Sequence, residues 1–333
     1  MTRIILSIFV CSVLSLAQTP PANVKGTYRF AASLTPRDLN EAATVVKSVA
    51  EVPQVSIDAS TGTLTFTGSA ENVDFAQWAL STIDKSYDGS STNQAYTLPT
   101  GETARVNFLV YQRTPQNVQE LLTILRTVAD VQHVFNLTSN SAIVLRGPVW
   151  SIDFAEWIIG QIDQPNPAKP DTTEREFNVG GPDFRGLGHS ARLNFLANMT
   201  SIRQTSELLT VLRTVGEVQK IFTFTSTHAL VLRAGDSDLQ RAEWIIRQLD
   251  VPAQQSSGGG TFTAPAGDDV TRIFPVINAN PLWVQDAAGS LRLELKIRTV
   301  SATTAPATII VRGAADQIAA AAQWITAHNA STN

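Results

Sequence analysis

The segment Phe154-Ala155-Glu156-Trp157-Ile158-Ile159-Gly160-Gln161-Ile162-Asp163 has close copies at Phe75 to Asp84, Arg241 to Asp250 and Ala321 to Asn329. A chain that repeats one stretch in this way must fold as copies of one unit. In each copy an alanine lies two residues before a tryptophan: Ala76, Ala155, Ala242 and Ala322 before Trp78, Trp157, Trp244 and Trp324. Phe154, Trp157, Ile158 and Ile162 fall on one side of a helix, so the segment reads as an amphipathic helix centred on its tryptophan. The tryptophans stand 79, 87 and 80 residues apart (157 − 78, 244 − 157, 324 − 244). Those intervals exceed short solenoid repeats and suit a small domain plus a linker.

The 105–163 copy shows the unit's plan. Val106, Phe108 and Val110 alternate with their neighbours as in a strand. Thr114-Pro115 then supplies an N-cap and a proline at the first helical position. Val118, Leu121, Leu122, Leu125 and Val128 carry the helix on. Val131 to Leu137 and Ala142 to Leu145 are apolar runs around Thr138-Ser139-Asn140-Ser141, a hairpin. The tryptophan helix closes a β-α-β-β-α unit. The fold class expected is α+β: four tandem modules over 28–84, 105–163, 192–250 and 272–329, each a three-stranded sheet with two helices on one face. In the fourth, Leu291, Leu293, Leu295 and Ile297 alternate and read as a long strand. Linkers 85–104, 164–191 and 251–271 are rich in Ser, Thr, Pro and Gly. Their shared Tyr96-Thr97, Phe177-Asn178 and Phe262-Thr263 suit either an added edge strand or an ordered loop.

Residues 1–17 read as a secretory signal peptide: Arg3, an apolar run to Leu16 too short for a spanning helix, and a small-residue cleavage site at Ala17. The one cysteine, Cys11, lies inside it. Phe9-Val10 before it do not suit lipidation, so the expected product is exported, periplasmic or secreted, without disulfides. A net charge of −4 weighs against a nucleic-acid partner.

Ile143-Val144-Leu145-Arg146-Gly147 with Ile162-Asp163, and Leu230-Val231-Leu232-Arg233-Ala234 with Leu249-Asp250, resemble the periplasmic N-domains of secretins. The resemblance implies KH-like, ring-building modules that pack side by side in a channel vestibule. The long run of barrel strands that secretins carry does not follow the fourth helix here. The Gly-x-x-Gly loop of RNA-binding KH domains occurs between strand and helix in none of the modules.

No catalytic, metal-binding or cofactor-binding set emerges. His133, His189, His228 and His328 lack partners at ligand spacing, and Gly186-Leu187-Gly188-His189-Ser190 lies in one linker only. Glu174-x-Glu176 and Asp268-Asp269 sit among polar linker residues. Three short matches to the N-glycosylation pattern begin at Asn136, Asn198 and Asn329. Trp78, Trp157, Trp244 and Trp324 are expected in the core, with Trp157→Ala costing about 3 to 5 kcal/mol. Candidate interaction residues are Arg146, Arg233 and Arg312 at the strand ends, with Trp150 and Trp283 outside the repeated helix position. The expected function is an exported, non-enzymatic scaffold binding other copies of itself or secretion or pilus apparatus proteins. The alternative is an exported carbohydrate- or peptide-binding protein using the linkers and Trp150, Trp283 or His189.

Overall fold

The computed structural model describes residues 23–86, 92–165, 174–181, 188–252, 259–264, 269–276 and 280–329. The leader, Gly186-Leu187, Asp268 and most of the Ser256–Gly260 stretch lie outside them.

The first unit is β1 (Val24–Arg29), α1 (Pro36–Ser48), β2 (Gln54–Asp58), β3 (Thr63–Gly68) and α2 (Ala70–Ser86). Its sheet is antiparallel in the order β1-β3-β2. The second opens with an added strand β4 (Gln94–Thr97), then β5 (Thr103–Phe108), α3 (Pro115–Thr127), β6 (His133–Leu137), β7 (Ala142–Gly147) and α4 (Val149–Ile162). The third repeats this with β8 (Arg175–Asn178), β9 (Ser190–Phe195), α5 (Ile202–Thr214), β10 (Lys220–Phe224), β11 (Ala229–Ala234) and α6 (Asp236–Leu249). The fourth has β12 (Gly260–Thr263), β13 (Val270–Pro275), α7 (Pro281–Glu294), β14 (Thr299–Thr304), β15 (Ala307–Gly313) and α8 (Ala315–Asn329). Among the described residues the expected three-stranded sheet is thus found only in the first unit. In the others the linker strand pairs with the first strand in one shared register: Tyr96↔Ala104, Phe177↔Ala191 and Phe262↔Thr271.

Local chemistry accounts for the helix starts. Thr114 Oγ1 accepts from the Asn117 amide at 3.2 Å ahead of Pro115. Thr35 and Asp38 form a full capping box, as do Ser201 and Gln204. Each first helix then ends on a residue at positive φ: Glu51 (54°), Asp130 (60°), Glu217 (61°) and Lys296 (55°). Glycine is the usual occupant of that left-handed turn.

The fourth unit corrects two expectations. Leu291 lies inside α7, whose cap is Asn280 before Pro281, and the strand is Thr299–Thr304. Leu293 is 81% exposed while Leu291 is buried; the alternation only straddles a helix end. The second correction concerns register. Ala76, Ala155 and Ala242 lie at one offset from Gly68, Gly147 and Ala234, the third-strand ends, and at that offset from Gly313 stands Ala321, not Ala322. Gln323 therefore takes the position of Trp78, Trp157 and Trp244, and Trp324 is one step on.

The units stack in alternating layers. Each of the first three helix pairs has its own sheet on one side and the next unit's sheet on the other. The core around α1 and α2 includes Ala104, Val106, Leu137, Ala142 and Val144 of the second unit. The core around α3 and α4 includes Ala191, Leu193, Phe224, Ala229 and Val231 of the third, and that of α5 and α6 includes Ile273 and Ile310 of the fourth. Sheet faces that a lone unit would leave wet are buried by this arrangement. Small units gain the apolar burial they lack alone.

Candidate interaction interface

Three kinds of contact recur at the seams between units. The first is an ion pair. Arg146 Nη1 lies 3.5 Å from Glu51, Arg233 Nη1 2.9 Å from Asp130, and Arg312 Nη1 2.6 Å from Glu217. Each arginine ends the third strand of one unit, and each acid is the left-handed residue ending the first helix of the unit before. A non-glycine residue at positive φ is disfavoured, and here its side chain receives the guanidinium. The fork of Arg146 also reaches Glu102 at 2.8 Å and Asn72 at 3.2 Å.

The second contact is a carboxylate on the first helix that accepts the backbone N–H at the end of the next unit's hairpin strand. Glu41 accepts from Thr138 at 2.7 Å, Glu120 from Thr225 at 2.7 Å, and Glu207 from Thr304 at 2.7 Å. The third is aromatic. Trp78 packs on Tyr96 at 5.1 Å, Trp157 on Phe177 at 5.2 Å and Trp244 on Phe262 at 5.8 Å. Each tryptophan thus holds the added strand of the following sheet.

These tryptophans are half-buried rather than fully enclosed, because one side of each ring meets a linker strand at the rim of the stack. Offset aromatic pairs contribute roughly 0.5–1.5 kcal/mol beyond area. Trp157→Ala is therefore expected to cost about 2 kcal/mol, below the full-core figure. Hydrogen exchange should show the loss along Arg175–Asn178 of β8 rather than inside the second unit.

Trp150, Arg146, Arg233 and Arg312 are all engaged within the chain. The Arg233 guanidinium lies 5.0 Å over the Trp150 ring, and a Cβ built on Gly181, at φ 80°, would come within 2.5 Å of that ring. Trp150 is thus closed off as a stacking platform. Trp283 packs half-buried on the fourth core. Trp324 donates to Glu294 at 2.7 Å and stacks on His328. His133 bridges the first seam, with Nδ1 3.2 Å from the Ser48 carbonyl, and His189 is exposed.

Asp84, Asp163 and Asp250 tie each final helix back to the loop after the first strand of its own unit. Asp163 accepts from the amides of Val110, Tyr111 and Gln112 at 2.7, 2.8 and 2.9 Å. Asp250 does the same for Ala197, Asn198 and Met199. Asp84 accepts from Ala31, Ala32 and the Tyr28 hydroxyl.

One charged cluster gathers three carboxylates around an arginine. Arg192 is contacted by Glu174 at 3.2 Å, Glu176 at 2.7 Å and Glu243 at 2.7 Å. Burial, followed by the hydrogen bond and charge of Glu174, pushes the Glu243 carboxyl up to about 7. An acid whose folded pKa is raised makes its stabilising contribution at low pH, and loses it as pH rises from about 4.5 through 7. Denaturant melts are expected to find the third unit about 1 to 2 kcal/mol weaker at pH 8 than at pH 5.5, a difference that Glu243→Gln largely removes.

Among the described residues no group of three or more His, Cys, Asp or Glu is arranged to hold a metal ion, and no helix is long and apolar enough to cross a membrane. A cleft of about 180 Å3 between the first two units is lined by Arg37, Leu109, Arg113, Val118 and Leu137 among others. Its arginines already bond to Thr138 Oγ1 and to the Leu109 carbonyl.

No family model matches the chain, and no curated protein matches it. Among solved structures it is similar to ExeD of Aeromonas hydrophila at 15% identity, with a TM-score of 0.17, covering 68% of this chain and 41% of that one. A pilotin–secretin AspS–GspD complex from ETEC aligns at 14% identity and a TM-score of 0.16, over 91% of this chain and 55% of that one. The structure described as XcpQN012 aligns at 12% identity and a TM-score of 0.21, over 69% of this chain and all of that one. The chain thus spans about half the length of the first two.

Proposed function

We propose that this is an exported, non-enzymatic scaffold of secretin-N-domain-like modules, acting by protein–protein contact at an outer-membrane secretion or pilus apparatus. The observation that carries the reading is the chemistry of the seams. The polar groups that recur from unit to unit, Arg146, Arg233 and Arg312 with Glu41, Glu120 and Glu207, all serve docking of one folded surface on another. Of the residues proposed for a sugar or peptide site, Trp150 is covered by Arg233, and His189 stands exposed in a linker.

The ends of the stack bear on which partners fit. The first sheet has Thr67 where the others have their arginine, and Lys25, Thr27 and Thr65 where the second has Ala104, Val106 and Val144. The last helix pair has Lys296 in place of the acid and Gln323 in place of the tryptophan. It also has Ser290 and Glu294 where Val45 and Val49, Ile124 and Val128, and Val211 and Val215 are fully buried. Polar outer faces of this kind terminate repeat stacks. Head-to-tail addition of a second copy would set Lys296 against a face carrying Lys25 and Arg29, so self-association is left to the sides of the modules.

The test is affinity capture by the full chain from the envelope of its source cells, with light scattering of the purified protein. Secretion or pilus components in the capture support the reading. Glycan binding by the monomer, or hydrolytic turnover lost in His189→Ala, would replace it. Sequencing of the exported form is expected to begin at Gln18.

A further inference from the structure

We infer that the outer edge of β1 is a docking site for an extended, acidic segment of a partner protein, added as a fourth strand of the first sheet. The inference rests on the interaction reading above and deepens it.

Three sister sheets show what this edge accepts. In each, a short strand lies antiparallel to the first strand in one register: Gln94↔Val106 to Thr97↔Thr103, Arg175↔Leu193 to Asn178↔Ser190, and Gly260↔Ile273 to Thr263↔Val270. Their central strands align through Gly68, Gly147, Ala234 and Gly313, so Val24–Thr27 corresponds to Thr103–Val106. Among the described residues nothing pairs with that edge of β1. Val24 is 41% exposed and Thr27 is exposed. Their counterparts Thr103 and Val106 are buried. An unpaired edge presents a row of amide and carbonyl groups to an incoming chain.

Charge selects the occupant. Side chains directly opposite across an antiparallel pair share a face. In the sister sheets the added strand places Tyr96, Phe177 or Phe262 on the face that meets the preceding tryptophan helix. The corresponding place in the first sheet is opposite Lys25, and no unit precedes it among the described residues. Lys25 and Arg29 lie on that same face, are exposed, and form no ion pair among the described residues. An incoming strand with carboxylates opposite both satisfies them. A second copy presenting its own β1 edge, centred on Thr27, sets Lys25 against Arg29 twice, and like charges directly opposite are destabilising. The same two cations therefore select an acidic strand and reject self-pairing.

The test uses the full chain and two capped hexapeptides of threonine and valine, one with glutamate at its first and fifth positions, the other with lysine there. At millimolar concentration the glutamate peptide is expected to slow amide exchange across Val24–Thr27 at least tenfold, and the lysine peptide to leave it unchanged. Lys25→Glu with Arg29→Glu, both on an exposed face and checked for an unchanged thermal melt, should reverse the preference. Equal protection by both peptides, protection elsewhere, or none overturns the inference. So does a free chain whose β1 amides already exchange as slowly as those of Thr103–Val106: independence of protein concentration would then identify the chain's own N-terminal residues as the occupant, and dependence a second copy. Partner capture that survives failure of the peptide test leaves the scaffold reading standing.

Discussion

Asp163→Ala is expected to destabilise the second unit by about 3 to 4 kcal/mol, more than most surface substitutions achieve. The carboxylate accepts from three successive amides, Val110, Tyr111 and Gln112. Packing adds little at two of those residues, since Val110 is 56% and Tyr111 53% exposed. Bonds to a charged acceptor contribute roughly 1.5–3 kcal/mol each, and water recovers part of the loss because two of the three donors are exposed. The loop also sets where α3 begins, since Gln112 reaches Asn117 and Gln164. Asp163→Asn, which mimics the fourth unit's Asn329, keeps one acceptor oxygen and should cost less than half as much. Exchange at Val110 to Gln112 should rise sharply in the alanine variant while β13 and β15 stay protected. An unchanged pattern there would show that the loop is held by packing instead.

The sequence carried the unit's plan because each device is local. Thr35-Pro36 and Thr114-Pro115 each start a helix, and apolar alternation with a turn between makes a hairpin. It misled where one pattern fits two structures. Leu291, Leu293, Leu295 and Ile297 alternate like a strand, yet Asn280-Pro281 carries the same start signal as Thr114-Pro115 and places a helix there. The tryptophan in each final helix reads as a core residue from its periodicity. The half-buried place of Trp78, Trp157 and Trp244 at the seams depends on linker strands whose pairing is set by the neighbouring unit. The acids that receive the arginines were legible and overlooked. Val49-Ala50-Glu51-Val52, Val128-Ala129-Asp130-Val131 and Val215-Gly216-Glu217-Val218 form a recurring signature in which a charge stands where a turn would favour glycine.

Arg233→Ala is the sharpest test that these seams, rather than the units alone, hold the chain together. Arg233 is 2% exposed and its guanidinium sits between Asp130 and the Trp150 ring. Truncating it removes a buried charge from its partner, which typically costs about 3 to 5 kcal/mol. Lys220 also pairs with Asp130 and limits the penalty, so about 3 kcal/mol is expected. The coupling of Arg146 to Glu51 should be smaller, because Glu51 is half exposed and 3.5 Å away. Asp130→Gly supplies the control. It relieves the left-handed backbone by roughly 1 kcal/mol while deleting the same ion pair. A double-mutant cycle between the two positions should return a coupling of about 1 to 3 kcal/mol. The exchange rise should be confined to β10, β11 and the end of α3. A coupling near zero, with loss spread evenly through the third unit, would mean that Arg233 only fills space and that the recurring pairs do not set how one unit seats on the next.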